Sequence, residues 1–121
     1  MQTKVVKISE VIGSGYGVSA SDGKLVYDKI AGHISAGNRV SISFENTTRL
    51  TTAFLNAAVG QLYGEFRGEK RRAMLAPPQH TEPWQINRLK IVIDRAKAYF
   101  SDPSGVSSIM DIESGKLNDD A

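Results

Sequence analysis

The chain has 121 residues, 40% of them hydrophobic and 23% charged, enough for one hydrophobic core and a mix that excludes a multidomain enzyme, a disordered chain and a membrane protein. It contains no Cys, which removes disulfides, thiolate zinc sites, iron–sulfur clusters and Cys nucleophiles together; the charged start Met1-Gln2-Thr3-Lys4 lacks a secretory apolar stretch, so a cytoplasmic protein is expected. The net charge of +2 hides an asymmetry, because residues 1–101 carry 14 Lys/Arg against 8 Asp/Glu and residues 102–121 carry one Lys against 5 acids.

In chain order, Val5, Val6, Ile8 and Val11 predict a strand over 3–11. The run Gly13-Ser14-Gly15-Tyr16-Gly17 then reads as a turn into a second short strand at Val18-Ser19-Ala20, so an opening hairpin is expected. Ser21-Asp22-Gly23 offers an N-cap to a helix that presents Leu25, Val26, Ile30, His33 and Ile34 on one face and ends near Gly37. Val40-Ser41-Ile42-Ser43-Phe44 alternates with period two and predicts a strand with Val40, Ile42 and Phe44 on one face. Phe54, Leu55, Ala58, Val59, Leu62, Tyr63 and Phe66 recur at three- and four-residue spacing, which predicts a helix over 52–66 with Thr51 or Thr52 as N-cap. Ala73-Met74-Leu75-Ala76 reads as a short strand closed by Pro77-Pro78, and a last helix opens at Thr81-Glu82-Pro83 and runs through Ile86, Leu89, Val92, Ile93, Ala96 and Phe100. The order β-β-α-β-α-β-α implies a small single-domain α/β fold over residues 1–101, a mixed sheet with helices packed on it. Residues 102–121 hold Pro103, Gly105 and several Ser, with Ile109-Met110 and Ile112 as their apolar cluster. They read as an acidic mobile tail, or as a short helix around Val106 to Ile112 that docks on the basic body or on a partner.

Chemistry is sparse in this pattern. Gly13-x-Gly15-x-Gly17 brings its third Gly one residue too early for a dinucleotide fingerprint and reads as a glycine-rich turn. His33 and His80 are isolated imidazoles without metal-ligand spacing, and no nucleophile elbow or compact Ser/His/Asp group occurs, so neither metal, cofactor nor catalysis is expected. The cluster Arg67, Lys70, Arg71 and Arg72 is the alternative anion site, suited to nucleic acid or a nucleotide. Glu65 and Glu69 stand among these cations, and a solvated helix end accounts for them without a ligand.

The stretch from Val40-Ser41-Ile42-Ser43-Phe44-Glu45 to Thr51-Thr52-Ala53-Phe54-Leu55-Asn56-Ala57-Ala58-Val59-Gly60-Gln61-Leu62-Tyr63 closely resembles the STAS-like domain family of unknown function. The likeness extends back to Asp22-Gly23 and Val26-Tyr27-Asp28 and forward to Val92-Ile93 and Ala98-Tyr99-Phe100, covering about residues 3–100. It implies a bacterial regulatory interaction domain, similar in fold to the anti-sigma-factor antagonists, which bind a histidine-kinase-like ATPase that phosphorylates a Ser or Thr at the start of this helix. Carried onto this sequence, the resemblance makes Thr51 or Thr52 a phospho-acceptor, with a plain helix cap as the other reading, and makes Ser43, Glu45, Asn46, Thr48, Arg49 and Asn56 the partner surface. A charge at Thr51 or Thr52 is then expected to abolish partner binding and leave the fold intact, because a helix N-terminus accommodates an anion.

Overall fold

A computed structural model describes residues 2–66 and 68–101. The acidic tail at 102–121 lies outside the described residues, as does Arg67. The first strand, β1 (Thr3–Lys7), is shorter than its sequence suggests, because Ile8 starts a helical turn, α1 (Ile8–Ile12). Ile8 is buried, with Val11 and Ile12 packed against the core, so these apolar residues follow a helical rather than a strand period. Gly13 closes the turn in the left-handed region at φ 76°, its N–H donating to Ser9 O at 3.0 Å, the usual role of a glycine after a helix.

The expected opening hairpin is therefore not formed. The second strand, β2 (Tyr16–Gly17), pairs in parallel with β4 (Arg49–Leu50), while β1 pairs in parallel with β3 (Arg39–Ser43) in the register Thr3↔Arg39 to Lys7↔Ser43. Residues Val18 and Ser19 lead directly into α2 (Ala20–Ser35), whose N-cap is Ser19, accepting the Asp22 N–H at 3.1 Å. Val26, Ile30 and Ile34 form the buried face of α2 together with Gly23, whereas Leu25 is exposed and His33 half-buried.

Strand β3 is the centre of the sheet. On its other side the expected strand at 73–76 is replaced by α5 (Gly68–Met74) and two isolated parallel bridges, Val40↔Leu75 and Ser43↔Gln79. Pro77 and Pro78 have no N–H to donate, which breaks the ladder between the bridges. The Ser41 hydroxyl fills part of the gap by donating to Pro77 O at 2.8 Å. Flanked on both edges, β3 has both faces buried, Ser41 and Ser43 as well as Val40, Ile42 and Phe44.

The helix expected over 52–66 is present in three pieces: α3 (Thr52–Leu55), a π turn (Asn56–Gly60) and α4 (Leu62–Glu65). Phe54, Leu55, Ala58, Val59, Leu62, Tyr63 and Phe66 are all buried in the core, as their spacing predicts. The last helix, α6 (Pro83–Ser101), opens at Pro83 and covers this core with Leu89, Val92 and Ala96. The architecture is thus mixed α/β with short parallel strands. Among the described residues no helix is long and apolar enough to cross a membrane.

Candidate functional site

The start of α3 is held by two loops that approach unusually closely. A Cβ at Gly15 would lie 2.6 Å from Asn46 O, and one at Gly17 would lie 3.0 Å from the Leu50 and Phe54 side chains. The glycine run is therefore the close-packing partner of the 46–50 loop, neither a hairpin turn nor a phosphate cradle. Gly15 O accepts from Thr48 N at 2.8 Å and Arg49 N at 3.2 Å, and Thr51 N donates to Gly17 O at 2.9 Å. Asn46 takes the left-handed conformation at φ 61°, which Asn tolerates better than most residues. The turn it makes is closed by Thr47 N donating to Phe44 O at 3.0 Å.

Thr51 is the N-cap of α3. Its hydroxyl oxygen accepts the Phe54 N–H at 3.0 Å and its hydroxyl proton goes to Val18 O, so the side chain ties the cap to the end of β2. Thr52 points into the protein and is only 5% exposed. Of the expected partner surface, Glu45, Asn46, Thr48, Arg49 and Asn56 are exposed, the first four on the loop before α3 and Asn56 at the first position of the π turn. Ser43 does not belong with them. It is 2% exposed, paired with Lys7 on one edge and Gln79 on the other, and this flanking on both sides removes it from any surface. Glu45 pairs with Lys7 at 3.1 Å, and the hydrogen bond and charge of that lysine hold its carboxyl below the ordinary carboxylate range.

One element distant in sequence, α6, completes the surface. Gln85, fully buried on the first turn of α6, accepts the Glu82 N–H at 2.8 Å and donates to Thr47 O at 2.8 Å. It both caps α6 and pins that helix to the loop before α3. Gln85→Leu preserves volume but leaves a buried carbonyl and an N–H unpaired, so a loss of about 1–3 kcal/mol is expected in urea unfolding; a loss below about 0.5 kcal/mol would remove Gln85 from this role. One turn on, Arg88 donates to Leu50 O and lies over the Trp84 ring, 5.9 Å from its centroid.

These links place Tyr16, Arg49, Arg88 and Trp84 around one edge, since Tyr16 and Arg49 are ladder partners. Tyr16 is 59% exposed, Val18 42% and Trp84 36%. Sequence reasoning missed Tyr16, Val18, Trp84, Gln85 and Arg88 as site residues; the signal within reach was Glu82-x-x-Gln85 at a helix start. The basic cluster is assembled differently from a free cationic stripe. Arg71 stacks 4.1 Å over the Tyr63 ring and donates to Phe66 O, and Lys70 lies 5.5 Å from the Phe66 ring centroid.

Residues 22–75 match the family model described as a STAS-like domain of unknown function (DUF4325). The matched span is shorter than residues 3–100, over which the likeness was traced in the sequence, and it contains the β3–α3 core that carries it. No curated protein and no solved structure matched the chain.

Proposed function

We propose, for a chain that matches a STAS-like domain over residues 22–75, a non-catalytic regulatory role exercised by binding a protein partner, an ATPase of the histidine-kinase type. The observation that supports this reading is the patch beside the start of α3, where Tyr16, Val18 and Trp84 are exposed and flanked by Arg49 and Arg88. Exposed aromatics bordered by Arg are the residues that dominate protein interfaces, because they bury large apolar area at low entropic cost and still pair with charge. The patch rests on parts that do not need to move: the Thr51 cap, the Gly15–Thr48 contacts and the Gln85 bridge. A partner with apolar side chains and a carboxylate between them fits it.

A phosphorylation switch at Thr51 or Thr52 draws no support from this geometry. The Thr51 hydroxyl already makes two hydrogen bonds and Thr52 is buried, so Thr52→Glu would place a charge against the core and perturb the fold. Partner binding is better tested on the exposed residues. In co-purification with a candidate histidine-kinase-type ATPase from the same genome, Arg49→Glu should abolish retention, and Tyr16→Ala and Trp84→Ala should each weaken it about tenfold or more. Lys29→Glu, on the exposed side of α2, should change nothing. Retention of all three patch variants at the parental level would refute the reading.

A further inference from the structure

Away from this patch, a cavity of about 310 Å³ is lined by Tyr63, Arg71, Leu75 and Lys97, contributed by α4, α5, the residue after it, and the last turns of α6. From the geometry we infer that this cavity is a binding site for a small phosphate monoester, held by the Arg71 guanidinium, the Lys97 ammonium and the Tyr63 hydroxyl. Arg71 is fixed in place. Its guanidinium carbon lies 4.1 Å from the Tyr63 ring centroid and one of its nitrogens donates to Phe66 O at 3.3 Å. A guanidinium has five donors, so most of its fork is left for a ligand oxygen, the geometry in which Arg recognises phosphate. Lys97 is exposed, and among the described residues neither it nor Arg71 is within ion-pair distance of a carboxylate.

Tyr63 lines the same cavity; the residue is 8% exposed, and among the described residues its hydroxyl donates to no protein group, which leaves that donor for a ligand. Burial raises its pKa, Asp94 adds to that and Arg71 opposes it, so the phenol stays protonated at neutral pH and has a proton to give to an anion. Among the described residues the charged groups of the lining are Arg71 and Lys97, with Asp94 acting on Tyr63 against them, a compact pair of cations sized for a monoester. The volume sits at the lower end of small-molecule sites, enough for a phosphate and a small organic group. Leu75 gives the cavity one apolar wall, suited to the carbon side of such a ligand.

The test titrates the full chain with inorganic phosphate, glucose 6-phosphate and glucose, followed by calorimetry and by amide NMR. Both phosphate compounds should bind saturably with a dissociation constant below about 1 mM, and glucose should not bind. Tyr63→Phe, which keeps the ring and removes only the hydroxyl, and Lys97→Gln, on an exposed position, should each weaken glucose 6-phosphate about tenfold, with melting temperatures close to the parental value. Absence of saturable binding up to about 20 mM would overturn the assignment. So would binding that Tyr63→Phe and Lys97→Gln leave unchanged.

Discussion

Leu62→Ala is expected to lower the unfolding free energy by about 2–5 kcal/mol, with the fold retained. Leu62 is fully buried at the start of α4, in the same core cluster as Phe54, Leu55, Ala58 and Val59 before it and Val92 of α6. Truncation removes three carbons from a site walled by other elements on several sides, and a short helix that follows a π turn has little freedom to collapse into the void. The loss should appear as a lower urea midpoint at unchanged slope. A loss under about 1 kcal/mol would mean that the stripe is not the core of the domain.

Gly23→Ala should destabilise by about 1–3 kcal/mol, although Ala is the better helix former. The added Cβ would stand 2.4 Å from Phe54 O, 2.9 Å from the Ala57 Cβ and 3.2 Å from Ala58 N. Two of these are backbone atoms, so α2 and the π turn must separate. Gly32 in the same helix is the matched control, because a Cβ there meets nothing within 4 Å. Gly32→Ala should be neutral or stabilising by up to about 1 kcal/mol. Opposite signs for the two glycines would establish that α2 is seated on the α3–π segment by direct backbone contact; equal, small effects would contradict that seating.

The parts of the fold that were legible in the sequence are those governed by local periodicity. Phe54 to Phe66 and Leu89 to Ala96 recur at helical spacing, and both stripes are buried. Val40, Ile42 and Phe44 alternate and are buried on one face of β3. Partner choice was not legible. Nothing in Val5 to Ala20 says that β2 pairs with a loop more than thirty residues away rather than with β1, and pairing of that kind is decided by the fold as a whole. The helical period of Ile8, Val11 and Ile12 followed by Gly13 was present in the sequence and was outweighed by β-branched composition. The π turn left no trace, since the apolar spacing at Leu55, Val59 and Leu62 is the same as in an ordinary helix.

The candidate site divides along the same line. Glu45, Asn46, Thr48 and Arg49 are neighbours in sequence as well as in space, so a local resemblance could locate them. Ser43 was misplaced because alternation gives the face of a strand but not what covers it, and here both edges of β3 are paired. Trp84, Gln85 and Arg88 reach the loop only because α6 folds back on it through Gln85 and Arg88. The basic cluster illustrates the converse: Tyr63 and Phe66 precede it in sequence, and only the structure shows that their rings lie under Arg71 and Lys70.

Trp84 is the chain's single Trp, so its indole N–H gives one isolated NMR signal at the edge of the proposed interface. Adding the unlabelled ATPase to the isotope-labelled chain should shift or broaden that signal together with the amides of Tyr16–Val18 and Arg49–Ala53, while Leu25 and Lys29 on α2 stay unperturbed. A footprint on α2 that leaves the Trp84 indole and the Arg49–Ala53 amides unchanged would contradict the account.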